Sequence, residues 1–189
     1  MTEELDKKLC EKYPKIFADR DADMKDTCMC WGFPGDGWYW LIDHLCLMIQ
    51  NHIDNQENNN KRNEEFNLVL ALAKEGHFGA FIEYYKTFSI EFIDKEILKV
   101  PTLEYREVKP VYQVVASQVK EKFGGLRFYI DGGDEVVHAY INFAEHLSYW
   151  ICEHCGSTKE IGYTGGWIMT LCKTCAEKLE NSSWKLAEG

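Results

Sequence analysis

The sequence predicts an α+β fold: a helical body, a small antiparallel β-hairpin or sheet, and a C-terminal treble-clef-like zinc ribbon. Three observations carry this. Trp38, Leu41, Ile42, Leu45, Ile49 and Ile53 recur at the spacing of one helix face. Two β-rich runs, 112–119 and 126–130, flank Gly124-Gly125, as in a hairpin. Cys152-x2-Cys155 and Cys172-x2-Cys175 stand sixteen residues apart, a spacing that brings four thiolates to one ion. The expected organisation is a main domain over 1–148, a helical insertion at 54–104, and a zinc element at 149–189 packed on the main domain.

The elements follow in order. Thr2 can cap a first helix, with Glu3 and Glu4 near its positive end, and Pro14 ends or kinks it. A polar, charged stretch spans 18–27. Residues 28–38 hold three glycines and one proline, so they form no regular element. Asp36 or a neighbour is expected to cap the helix that begins at Trp38. The Asn-rich stretch 54–65 reads as a loop or a frayed helix end. Residues 66–98 read as helix in pieces, broken near Gly76 and Gly79 and closed by Pro101. After the hairpin, Asp134 can cap a helix whose apolar face is Val137, Tyr140, Ile141, Ala144 and Leu147.

Bulk composition narrows the function. With 189 residues and 46% hydrophobic content the chain can bury a real core. A net charge of −10 argues against non-specific coating of nucleic acid, though a local basic patch remains compatible with it. The N-terminus is acidic and lacks an apolar run, and no stretch reaches the roughly 18 apolar residues of a membrane span. The expectation is therefore no membrane partner and a reducing cytoplasm, where eight cysteines read as thiols and metal ligands rather than disulfides.

Cys152, Cys155, Cys172 and Cys175 are the expected metal ligands. Two residues between cysteines let a tight turn aim both sulfurs at one ion, and Gly156 suits the turn beside it. Between the pairs, 161–171 reads as a short hairpin turning at Gly165-Gly166, and the second pair opens a helix. That arrangement is treble-clef-like, with a plain zinc ribbon as the near alternative. Four cysteines leave no open position for water, so the zinc is expected to be structural. Cys28 and Cys30 read as free thiols rather than a second site.

The segment 120–127, Lys-Glu-Lys-Phe-Gly-Gly-Leu-Arg, is the candidate ligand-binding element. Lys120, Lys122 and Arg127 could hold a phosphate or carboxylate beside backbone N–H groups of Gly124 and Gly125, and Tyr129 could stack on a base. Alternation puts Arg127 and Tyr129 on one strand face. The competing account is a charged strand edge that blocks aggregation. Trp31, in the Gly-rich loop, could line a pocket, and Asp36 is the lone carboxylate assigned to a site, though capping would also explain it. No His-Glu-x-x-His, Gly-x-Ser-x-Gly or Walker pattern occurs, and no nucleophile has an evident base.

Three islands carry a resemblance: Cys30-Trp-Gly-Phe-Pro-Gly-Asp-Gly-Trp38, Val119-Lys-Glu-Lys-Phe-Gly-Gly-Leu-Arg-Phe-Tyr129, and the segment from Cys152-x2-Cys-Gly to Gly-Trp-x2-Thr-Leu-Cys-x2-Cys-Ala176. Together they resemble a family of small hypothetical phage and prophage proteins with a C-terminal four-cysteine zinc ribbon. The islands span about half of the chain and leave out 54–104. The resemblance implies a viral or mobile-element setting, hence a host cytoplasm, and no catalytic residues. The reading is a protein that acts by contact with a host protein or an anionic, nucleotide-like small molecule, and by analogy counters host defence. The alternative is a nucleic-acid-binding or processing accessory protein that docks through the ribbon.

Overall fold

Helical periodicity, a glycine turn and metal-ligand spacing each produce the local element expected of them. The computed structural model describes residues 1–29, 33–179 and 183–187. Its helices are α1 (Glu3–Lys12), α2 (Tyr39–Lys74), α3 (Gly79–Tyr84), α4 (Ile90–Lys99), α5 (Glu135–Ser148) and α6 (Lys173–Lys178). Its strands are β1 (Val115–Lys122), β2 (Gly125–Asp131), β3 (Ile161–Tyr163), β4 (Thr170–Cys172) and β5 (Lys185–Leu186). The fold is α+β, and the sheets are antiparallel: β1 pairs with β2, and β3 lies between β4 and β5. No helix among the described residues is long and apolar enough to cross a membrane.

The chain divides into two units, Met1–His52 with Tyr112–Gly189, and Ile53–Val111. In the first unit, Trp38, Ile42, Leu45 and Ile49 are buried, as are Val119, Leu126 and Phe128 from the hairpin and Val137, Ile141 and Ala144 from α5. The segment after α1 covers the outer edge of β1: Ala116 N–H donates to the Ile16 carbonyl and Cys28 N–H to that of Ser117. The outer edge of β2 is covered by side chains of α5. Leu126 N–H donates to Ser148 Oγ and Phe128 N–H to Glu145 Oε1. Both edges are thereby closed to pairing at these positions. Asp134 caps α5 by accepting from Val136 and Val137 N–H, whereas Thr2 makes no side-chain cap to α1.

The second unit corrects the expectation of a loop or a frayed helix end at 54–65. That stretch is helical, inside the 36-residue α2, which is about 54 Å long. Asparagine is a weak helix former, but here its amides have work on one helix face. Asn60, Asn63 and Asn67 donate to the carbonyls of Lys109, Glu107 and Arg106, and Asn60 and Asn67 also accept from the N–H groups of Lys109 and Arg106. The extended segment has no strand partner among the described residues, and the asparagine ladder satisfies its backbone instead. Phe66, Leu70, Ala73, Phe81 and Val100 form the apolar core of this unit.

Candidate metal centre and the hairpin beside it

Cys152 and Cys155 lie on the turn after α5, Cys172 ends β4, and Cys175 lies in α6. Their four sulfurs all fall within 4.8 Å of one another, and Cys155 Sγ is 3.7 Å from Cys172 Sγ. A metal about 2.3 Å from four tetrahedral sulfurs spaces them about 3.8 Å apart, so the thiols already stand at coordination distance. The first turn is closed by Gly156 N–H to the Cys152 carbonyl at 2.9 Å and Cys152 N–H to the Ser157 carbonyl at 2.8 Å. Gly156 sits at φ +74°, which a side chain would disfavour. Burial pushes the Cys152 and Cys175 thiols up, while the exposed Cys155, against a partial desolvation, is held below its ordinary value by the Ser157 N–H and the neighbouring thiols. Four thiols this close do not all ionise without a cation to compensate them. The donor set fits a metal and closes its coordination shell. The four cysteines form a cluster that could hold one metal ion.

The Gly-rich loop is the clasp on this centre. Gly37 N–H donates to the Glu153 carbonyl at 2.9 Å, and the buried Trp38 donates Nε1–H to the Ile151 carbonyl at 3.0 Å. A Cβ on Gly35 would stand 2.2 Å from the Glu153 oxygen, and one on Gly37 2.1 Å from the Cys152 oxygen. The glycines are there for close backbone approach. Asp36 is exposed and accepts from Thr2 N–H at 2.6 Å. It lies inside a short 3-10 turn whose cap is Gly35, so it does not cap that turn. Trp31 lies outside the described residues.

Glu153 is a feature that residue spacing did not single out. It is only 8% exposed, and among the described residues its Oε2 has no hydrogen-bond partner. Burial, with the charge of Glu121 adding to it, pushes its carboxyl up to about 7. A glutamate between two metal ligands reads in sequence as a solvated side chain, and nothing in the pattern marks it otherwise.

In the hairpin, Lys120 pairs with Arg127 and Lys122 with Gly125. The turn is Phe123-Gly124, one residue earlier than the Gly-Gly pair suggested. Phe123 takes φ +54° and Gly124 φ +75°. The expected cradle of free N–H groups is not what these glycines form. Gly124 N–H is taken by Glu121 Oε1 at 2.6 Å, and its carbonyl accepts from Thr170 Oγ of the ribbon. A Cβ on Gly125 would strike the Tyr149 ring at 2.4 Å. Both glycines are buried packing positions.

Arg127 is also engaged within the protein. Its Nη1 donates to the Leu126 carbonyl at 2.6 Å, its Nη2 donates to Tyr149 Oη at 2.8 Å, and Glu145 Oε2 is 3.8 Å away. That removes the basis for a bidentate Arg127 clasp on a ligand. Lys120 and Lys122 differ: their ammonium groups lie 5.1 Å over the Tyr129 ring and 5.5 Å over the Phe123 ring, and neither forms an ion pair among the described residues. Phe123 is 67% exposed and Tyr129 41%. The structure therefore brings Lys120, Lys122 and Tyr129 together on an accessible face, with Gly124, Gly125 and Arg127 as its support.

The fold and the centre define an α+β protein built around a four-cysteine ribbon. Comparison with protein-family models, with curated proteins and with solved structures gives no match for the chain.

Proposed function

We propose that this is a zinc-stabilised binding protein of the phage type its sequence resembles, working in a host cytoplasm by contact with an anionic ligand or an acidic surface of a host protein. Zinc is the metal that four thiolates in a closed tetrahedron favour, and its role is to hold the ribbon. The observation that carries the reading is the outer face of the hairpin. Two lysines without carboxylate partners among the described residues lie over exposed rings in a chain of net charge −10. An anionic partner meets there the local positive field that the rest of the surface withholds. Thr170 and Tyr149 fix the turn from the ribbon side, so the metal centre supports the face.

Two measurements test this. Elemental analysis of purified protein should give about one zinc per chain, and iron or no metal would remove the zinc assignment. Mass spectrometry of what copurifies, comparing wild type with the Lys120→Ala/Lys122→Ala double variant, should show a partner lost from the variant at unchanged metal content and melting temperature. Identical copurification profiles would overturn the hairpin face as the recognition surface.

A further inference from the structure

We infer that the ligand of the hairpin face is a nucleoside phosphate, with its base in the cleft beside Tyr129 and its phosphates on Lys120 and Lys122. This rests on the reading of that face as the recognition surface and adds the chemistry of what it binds. An open cleft of about 340 Å³ borders the outer face of the hairpin, lined among others by Met24, Lys25, Asp26, Gln118 and Tyr129. Its volume is at the low end for small-ligand sites, suited to one planar group rather than a large ligand.

The walls match a base. Tyr129 offers an exposed aromatic ring, and Met24, 63% exposed, offers a polarisable thioether that adapts to a flat surface. Among the described residues, the Asp26 carboxylate and the Gln118 amide have no hydrogen-bond partner. They supply an acceptor and a paired donor and acceptor, the groups that read a base edge. Gln118 is the cross-strand neighbour of Tyr129, so the amide and the ring belong to one site.

The cations stand where a phosphate would follow the base. Lys120 lies over the same Tyr129 ring that borders the cleft, and Lys122 is two residues further along the same strand face. Lys25 borders the cleft itself, with Asp23 at 3.8 Å as an exposed and weak partner. The size of the ligand follows from charge. A few phosphates meet three nearby lysines, whereas each further phosphate of a long strand would meet the field of a chain whose net charge is −10. The ligand is therefore a free nucleotide and not a nucleic-acid strand.

Equilibrium titration of the full, metal-loaded chain tests this with four probes: a purine and a pyrimidine nucleoside triphosphate, inorganic triphosphate, and a short oligothymidylate. At least one nucleoside triphosphate should bind about tenfold or more tightly than inorganic triphosphate, since stacking on an aromatic ring contributes on that scale. Tyr129→Ala should weaken it about tenfold or more, Tyr129→Phe should retain it, and Lys120→Ala should weaken both nucleotide and inorganic triphosphate. Inorganic triphosphate binding as tightly as the nucleotides, with Tyr129→Ala silent, would overturn the base site and leave the anionic face standing. The oligothymidylate binding more tightly than either nucleotide would overturn the free-nucleotide assignment. No nucleotide binding, together with a copurifying protein lost in the double lysine variant, would overturn this inference alone. No binding of any probe and no lysine-dependent partner would overturn both.

Discussion

Gly37→Ala isolates the contact between the Gly-rich loop and the metal-binding turn. The φ of Gly37 lies outside the left-handed region, so the penalty is one of space and not of backbone conformation. The new methyl would stand 2.1 Å from the Cys152 oxygen, 2.5 Å from Gly156 N and 2.8 Å from Cys155 N. All three are backbone atoms of the tight turn that holds two metal ligands, and they have little room to yield. The loop must lift instead, and it then gives up the Gly37 N–H bond to the Glu153 carbonyl and the Trp38 bond to the Ile151 carbonyl. Two hydrogen bonds contribute about 1 kcal/mol each, and overpacking costs about 1–3 kcal/mol. The lower end, about 3 kcal/mol, is expected because the loop can move as a piece. It corresponds to a fall of about 6–12 °C in Tm. Denaturant unfolding of metal-loaded protein reads the loss, and elemental analysis should still find one metal, since no ligand is changed. A variant within about 0.5 kcal/mol of wild type would refute the clasp, because substitutions away from such contacts stay in that range.

Asn67→Ala removes two hydrogen bonds to the Arg106 backbone, at 2.8 and 2.7 Å, and should cost the second unit about 1–2 kcal/mol by denaturant unfolding. Stability should fall as pH rises from about 9 to 12. Burial first, with nearby Asp6 and Asp43, pushes the Cys10 thiol up to about 11 and the Tyr13 hydroxyl up to about 12, so in that window the folded chain keeps protons that the unfolded chain has released. Tyr13→Phe should flatten the upper part of the profile, and an unchanged slope would count against the assignment. In native protein, iodoacetamide should label the exposed Cys28 first and Cys46 only on unfolding, because Cys46 is fully buried with its thiol raised well above the ordinary value. Peptide mapping reads the order, and early labelling of Cys46 would contradict its placement.

What was legible in the sequence was what short range decides. The four-cysteine spacing fixes its own turns, and the apolar repeat from Trp38 to Ile53 selects a helix wherever it packs. The alternation of Arg127 and Tyr129 is likewise local, and the β1–β2 register keeps it. The misreadings have distant causes. The asparagines near 60 look like loop formers until the segment at 106–109 supplies the backbone groups they bond. Gly125 looks like a turn residue, yet it is a strand residue whose missing Cβ makes room for Tyr149, and the turn moves back onto Phe123. Gly35 and Gly37 read as breakers of regular structure, while the structure uses them for contact with a turn more than a hundred positions later. In each case the residue type was noticed and its partner was not, because the partner is set by tertiary packing.

The same distant contacts say why a protein of this kind would carry a metal at all. The ribbon's own core is small, Cys152, Ile161, Leu171, Cys172 and Ala176, two of which are metal ligands. So few apolar residues do not hold a fold by burial alone, and a metal on the four thiols would supply the missing free energy. What the ribbon then holds is more than itself. Thr170 bonds the Gly124 carbonyl, and Tyr149, at the end of α5, fills the space over Gly125 while tying down Arg127. Phe123 consequently projects from a turn whose φ of +54° is unfavourable for a bulky side chain, at a cost of about 1–2 kcal/mol. A turn left to its own preferences would place asparagine or glycine there. The strain persists beside Gly124 and Gly125, which Thr170 and Tyr149 hold in place, and what it secures is an exposed ring under the Lys122 ammonium. Backbone strain that ends in an exposed aromatic supports the proposed contact face over a strand edge built only to avoid pairing.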